Sequence, residues 1–86
     1  MKHSIRARDV YRHFKGTYYR VIGVAEHTET GETLVIYQAL DNLNYPRIWA
    51  RPLDMFCSEV DKEKYPDTKQ KYRFSRVVRD TFPEED

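Results

Sequence analysis

Rings and cations alternate through almost every segment of this chain that can form a β-strand. Tyr11-Arg12-His13-Phe14-Lys15, Tyr18-Tyr19-Arg20, Arg47-Ile48-Trp49-Ala50-Arg51 and Tyr72-Arg73-Phe74 all repeat the pattern. Successive side chains of a strand point to opposite faces, so one face of such a segment can be apolar while the other carries charge. Where rings and guanidiniums share an exposed face, they make a surface that stacks flat groups and holds anions.

The alternation is bounded by turn signals. Val10 to Phe14 reads as a first strand closed by Lys15-Gly16. Tyr18 to His27 is a longer strand, and Gly23 inside it marks a bulge or bend. Gly31, free to take φ > 0, makes Thr28 to Glu32 a hairpin loop. Thr33 to Leu40 returns with apolar residues on both faces, as a central strand of a closed or strongly bent sheet would, and Tyr37 is expected in its core with its hydroxyl bonded. Arg47 to Arg51 is a further strand, and Pro52 to Phe56 has room for one helical turn. Asp61 to Lys71 is highly charged and reads as an exposed loop or short irregular helix before strand character resumes at Tyr72 to Val78. Five or six short strands with tight connections predict a mainly all-β fold, a small barrel or roll with one short helical turn.

The chain has 86 residues, enough for one small domain whose folding hides roughly 60–65% of the unfolded surface. Aromatics at 14% compensate for that modest core. The net charge is only +1, which argues against a global field of the kind that drives non-specific nucleic-acid binding. Its distribution is uneven. Residues 1–8 read as a basic flexible arm, residues 9–79 as the folded domain and residues 80–86 as an acidic tail, expected to be solvated or, alternatively, to cover the basic face. The single Cys57 excludes an internal disulfide and fits a reducing compartment. With no secretory signal and no apolar run of about 20 residues, a cytoplasmic protein is expected.

Several separated blocks carry a family resemblance. Tyr11-Arg12-His13-Phe14-Lys15-Gly16, Tyr19, His27-Thr28-Glu29-Thr30, Val35 with Tyr37, Ala39-Leu40, Trp49 through Phe56, and Arg73-Phe74 together resemble the DUF1653 family of small bacterial and phage proteins of unknown function. The resemblance spans roughly Asp9 to Val77 and implies an SH3-like β-barrel. It implies no catalytic residues. The chain departs from the family pattern after Leu40, where Asp41-Asn42-Leu43-Asn44-Tyr45-Pro46 stands, and in having Trp-Ala-Arg-Pro in place of Trp-Val-Arg-Pro.

Site candidates therefore follow from chemistry. Trp49 and Arg51 share a strand face, placing an indole beside a guanidinium, a pair suited to a ring bearing a phosphate or carboxylate. Tyr11 and His13 share another ring-rich face, and Arg73 is a second anion contact. His27 lies in a turn where Thr28 and Thr30 can bond local backbone, and it is kept as a ligand contact. A zinc site needs three or four ligands, and the three histidines with Cys57 have no such spacing, so no metal is expected. Cys57 follows Met55-Phe56, the setting of a buried inert thiol. A hydrolase built on His13 and His27 is a third reading, and no enzyme is expected.

The leading expectation is a non-enzymatic module that binds a small anionic, ring-bearing ligand such as a nucleotide derivative, without a cofactor. The ligand site is expected at a loop rim or between subunits, hence a homodimer or higher homo-oligomer. In a phage-borne gene the role would be sequestration of a nucleotide signal. The alternative is an adaptor for RNA or protein that uses the aromatic and basic strand face.

Overall fold

The computed structural model describes residues 5–40 and 47–78. The departing loop at 41–46 and the acidic tail at 80–86 lie outside the described residues. Five strands form one antiparallel sheet: β1 (Val10–His13), β2 (Tyr18–Glu26), β3 (Thr33–Ala39), β4 (Ile48–Pro52) and β5 (Phe74–Val78). The strand order is β4-β3-β2-β1-β5, so a four-strand meander ends on β4 and the chain then returns to pair β5 with β1. One helical turn, α1 (Leu53–Phe56), begins that return. The mainly-β fold with a single short helix is as expected. Barrel closure is not: β4 and β5 are the two edges of an open sheet among the described residues.

The strand pattern explains which face is buried. In β3, Val35, Tyr37 and Ala39 are buried while Leu34, Ile36 and Gln38 are half-buried, the period of two that a one-sided core requires. Register places Tyr37 opposite Val21 and Trp49, and Val35 opposite Arg51. Phe56, on the helical turn, closes the core from above, stacked on Phe74 at 4.1 Å and edge-on to Tyr11 and Tyr37. Offset and edge-to-face ring pairs each add about 0.5–1.5 kcal/mol beyond the area they bury, which is how so few aliphatic residues suffice.

Two glycine turns were legible in the sequence: Gly16 has φ +112° and Gly31 φ +76°. The bulge in β2 falls where Gly23 predicts it, with the register to β3 shifting between Val21 and Gly23. A Cβ on Gly23 would nevertheless meet nothing within 4 Å, so the bulge does not depend on the missing side chain for room.

Of the expected flexible arm, Ile5 to Arg8 is docked. Ile5 packs on the core cluster, and Arg8 N–H donates to Val21 O at 2.7 Å. Arg6 and Asp9 close a turn, with Asp9 N–H donating to Arg6 O, and the buried Asp9 carboxylate accepts Arg6 N–H.

The charged stretch after α1 is ordered in spite of its composition. A bridge between Glu59 and Tyr72 joins its two ends. Gln70 then ties it to β1, accepting from Arg12 Nη1 at 2.8 Å and donating to Arg12 O at 3.0 Å. Within it, Asp61 caps a turn by accepting the N–H groups of Glu63 and Lys64. No helix of the described residues is long and apolar enough to cross a membrane.

Candidate functional site: a cationic cleft beside the first hairpin

The end of β1, the turn after it, β4 and the 59–72 loop enclose a cleft of about 340 Å³. Its cations are Lys15, Arg51, Lys64 and Arg73, against Asp61 as the one carboxylate. The apolar part of the wall is Phe14, Val60 and Tyr65, and His13 lies in the same lining.

Each guanidinium is positioned through its Nε by a hydroxyl. Arg51 Nε donates to Tyr37 Oη at 3.0 Å, and its Cζ sits 5.8 Å from the centroid of Phe74. Arg73 Nε donates to Ser58 Oγ at 3.2 Å, while its backbone is tied on both sides, N–H to Ser58 O and C=O to Phe14 N–H. A neutral hydroxyl orients an arginine without cancelling its charge, and among the described residues no hydrogen bond engages the terminal nitrogens, which suit a phosphate or carboxylate. Arg51 also satisfies the hydroxyl of Tyr37, which is only 3% exposed.

His13 lies among these charges. Its Nδ1 accepts Lys15 N–H at 3.1 Å, so the neutral ring carries its proton on Nε2. Desolvation, then the positive charges of Arg73, Arg51 and Lys15, lower its pKa to about 4. At neutral pH it is an uncharged hydrogen-bond donor in a cationic wall. Lys15 Nζ lies 5.2 Å and Lys64 Nζ 5.8 Å from the Tyr65 ring centroid, and Tyr65 is edge-on to Phe14 at 4.9 Å.

Of the residues singled out in the sequence, Arg51, His13 and Arg73 meet in this cleft. The other three do not line it. Tyr11 is a core residue, 6% exposed, against Phe56. Trp49 is 38% exposed on the edge strand, on the same sheet face as Arg51 but in contact with Tyr19 and Tyr37 at ring distances of 5.9 and 6.1 Å. His27 sits in the β2–β3 turn, where its Nδ1 accepts the N–H groups of Glu29 and Thr30. Sequence reasoning passed over Phe14, Lys15, Lys64 and Tyr65. The signal available was the lysine-tyrosine pair at 64–65, hidden inside a charged run that reads as a solvated loop.

Among the described residues no group of three or more His, Cys, Asp or Glu side chains is placed to hold a metal ion. Burial and the nearby Asp54 push the thiol pKa of Cys57 up, which disfavours the reactive thiolate.

These features define a small antiparallel β domain with a cationic, ring-lined cleft at a loop rim. The chain belongs to the DUF1653 family, described as proteins of unknown function, whose pattern it matches over residues 9–76. It is similar to a DUF1653 protein from Bordetella bronchiseptica whose crystal structure is known, at 31% identity and a TM-score of 0.68, over 92% of this chain and 95% of that one. No match was found among curated proteins.

Proposed function

We propose that the protein is a non-enzymatic binding module for a small anionic, ring-bearing ligand, a nucleotide derivative being the class that fits best. The observation that carries this reading is the cleft, where four cations face one carboxylate beside half-buried rings in about 340 Å³. That volume lies at the lower end of small-molecule pockets. Guanidiniums held by hydroxyls favour a phosphate, which they can grip with paired N–H donors. In a phage such a module would sequester a nucleotide signal.

Calorimetry with a panel of nucleotides tests the proposal. Binding is expected with the wild type, and Arg73→Gln is expected to weaken it about tenfold to a hundredfold, the loss of one or two charge-assisted hydrogen bonds. No heat with any member of the panel would remove the reading.

A second reading has one observation in its favour. β4 is a sheet edge on which Ile48 and Trp49 are exposed, a surface that suits strand addition by a protein or stacking by RNA. RNA binding weakens steeply with salt, whereas a ligand held in the cleft tolerates it better.

A further inference from the structure

The cations of the cleft fall into two stations. The inner one is Arg51 and Arg73, both half-buried and both fixed through Nε. The outer one is Lys15 and Lys64, both exposed, with their ammonium groups over the Tyr65 ring. Between them runs a column of rings. Phe74, under Arg51, is 4.9 Å from His13; His13 is 4.6 Å from Phe14; Phe14 is 4.9 Å from Tyr65. His13 thus stands in that column between Phe74 and Phe14. The two pairs also differ in chemistry. Guanidiniums are planar forks that hold one anion in a set orientation, and ammonium groups on flexible stems follow a charge wherever it lies. Asp61 lines the outer end, where its carboxylate accepts backbone N–H groups of its own loop, so that station carries the smaller net positive charge.

Resting on the reading above, we propose that the ligand carries two phosphoryl groups in series, as a nucleoside diphosphate or triphosphate does, with one group on the arginine pair and the next on the lysine pair. A nucleoside or a simple carboxylate would leave both stations underused, and a monophosphate would leave the lysines facing water.

Titration with a nucleoside, its monophosphate, its diphosphate and inorganic pyrophosphate tests this in the intact protein. The diphosphate is expected to bind about tenfold tighter than the monophosphate, the worth of one further charge-assisted contact. In Lys15→Gln/Lys64→Gln, whose changes fall on exposed side chains, both affinities are expected to fall, the diphosphate's by about tenfold more than the monophosphate's, so that the ratio collapses toward one. Equal affinity for mono- and diphosphate in the wild type overturns the two-station assignment and leaves the binding-module reading intact. An unchanged ratio in the double variant also overturns the assignment. Tighter binding of a short single-stranded RNA than of any mononucleotide overturns both, as does the absence of binding by every nucleotide.

Discussion

The β1–β2 and β2–β3 turns use the same local device in opposite surroundings. In each, a histidine at the end of a strand accepts the backbone N–H two residues later through Nδ1, at 3.1 Å in both cases. In each, a glycine with positive φ follows, Gly16 in the first turn and Gly31 in the second. Behind His13 stand Phe14, Phe74 and, at 6.3 Å, Tyr19, with Arg51 and Arg73 alongside. His27 has exposed Thr28, Glu29 and Thr30 around it. A turn motif is local chemistry, so its presence says nothing about function. What packs behind the turn makes one a wall of a cleft and leaves the other a surface loop.

The strongest way to break this contrast is to remove the ring behind His13. Phe74 is 5% exposed and contacts His13, Tyr19, Tyr37 and Phe56. Phe74→Ala is expected to cost about 3–5 kcal/mol in urea denaturation, as buried aromatic truncations do. A loss under about 1 kcal/mol would mean the ring column does not hold the first turn in place.

The glycines offer an intermediate effect. A Cβ at Gly16 would meet nothing within 4 Å, and one at Gly31 only Glu26 Oε2 at 3.7 Å, so any cost is backbone strain. Gly16→Ala is expected to cost about 1–3 kcal/mol, because φ +112° lies beyond the left-handed region near +50° to +70° that other residues can enter. Gly31→Ala, at φ +76°, is expected to cost less, about 1–2 kcal/mol. Thermal melts of the two variants side by side give the order, and a reversed order breaks the argument.

The smallest effect is set by pH. His13 in the folded protein takes up a proton only near pH 4, below its ordinary value of about 6.5. Between these values the unfolded chain binds more protons, so the stability contributed by the neutral ring is complete above about pH 6.5 and is lost as pH falls toward 4. The ring is half-exposed, so solvent screens much of this contribution. The urea midpoint of the wild type is expected to fall more steeply over that window than the midpoint of His13→Gln. Parallel slopes would detach His13 from the charges around it.

Much of the fold was legible. The strand segments, the turns at Gly16 and Gly31, the bulge at Gly23 and the helical turn after Pro52 each follow from neighbours in the chain, through period-two alternation or the φ a glycine permits. Tyr37 was readable too, as a ring in the most apolar strand whose hydroxyl had to find a partner. The open sheet was not readable, since closure depends on whether β4 and β5 meet. The site was half legible. Arg51, His13 and Arg73 announce themselves as cations or titratable groups beside rings in strand segments, whereas Lys15 falls in a turn and Lys64 and Tyr65 in a charged run that reads as a solvated loop. Tyr65 enters the cleft because Gln70 holds its loop against Arg12, a contact between residues 58 positions apart.

Alternation along the chain was sufficient to establish strands and a ring-filled core, because both rest on the direction in which adjacent side chains point. Which rings stay covered, and which cations share one space, depended on how β5 and the charged loop come back across β1. That return set Arg51 in one cleft with Arg73 and left Trp49, two residues away on the same strand face, outside its lining.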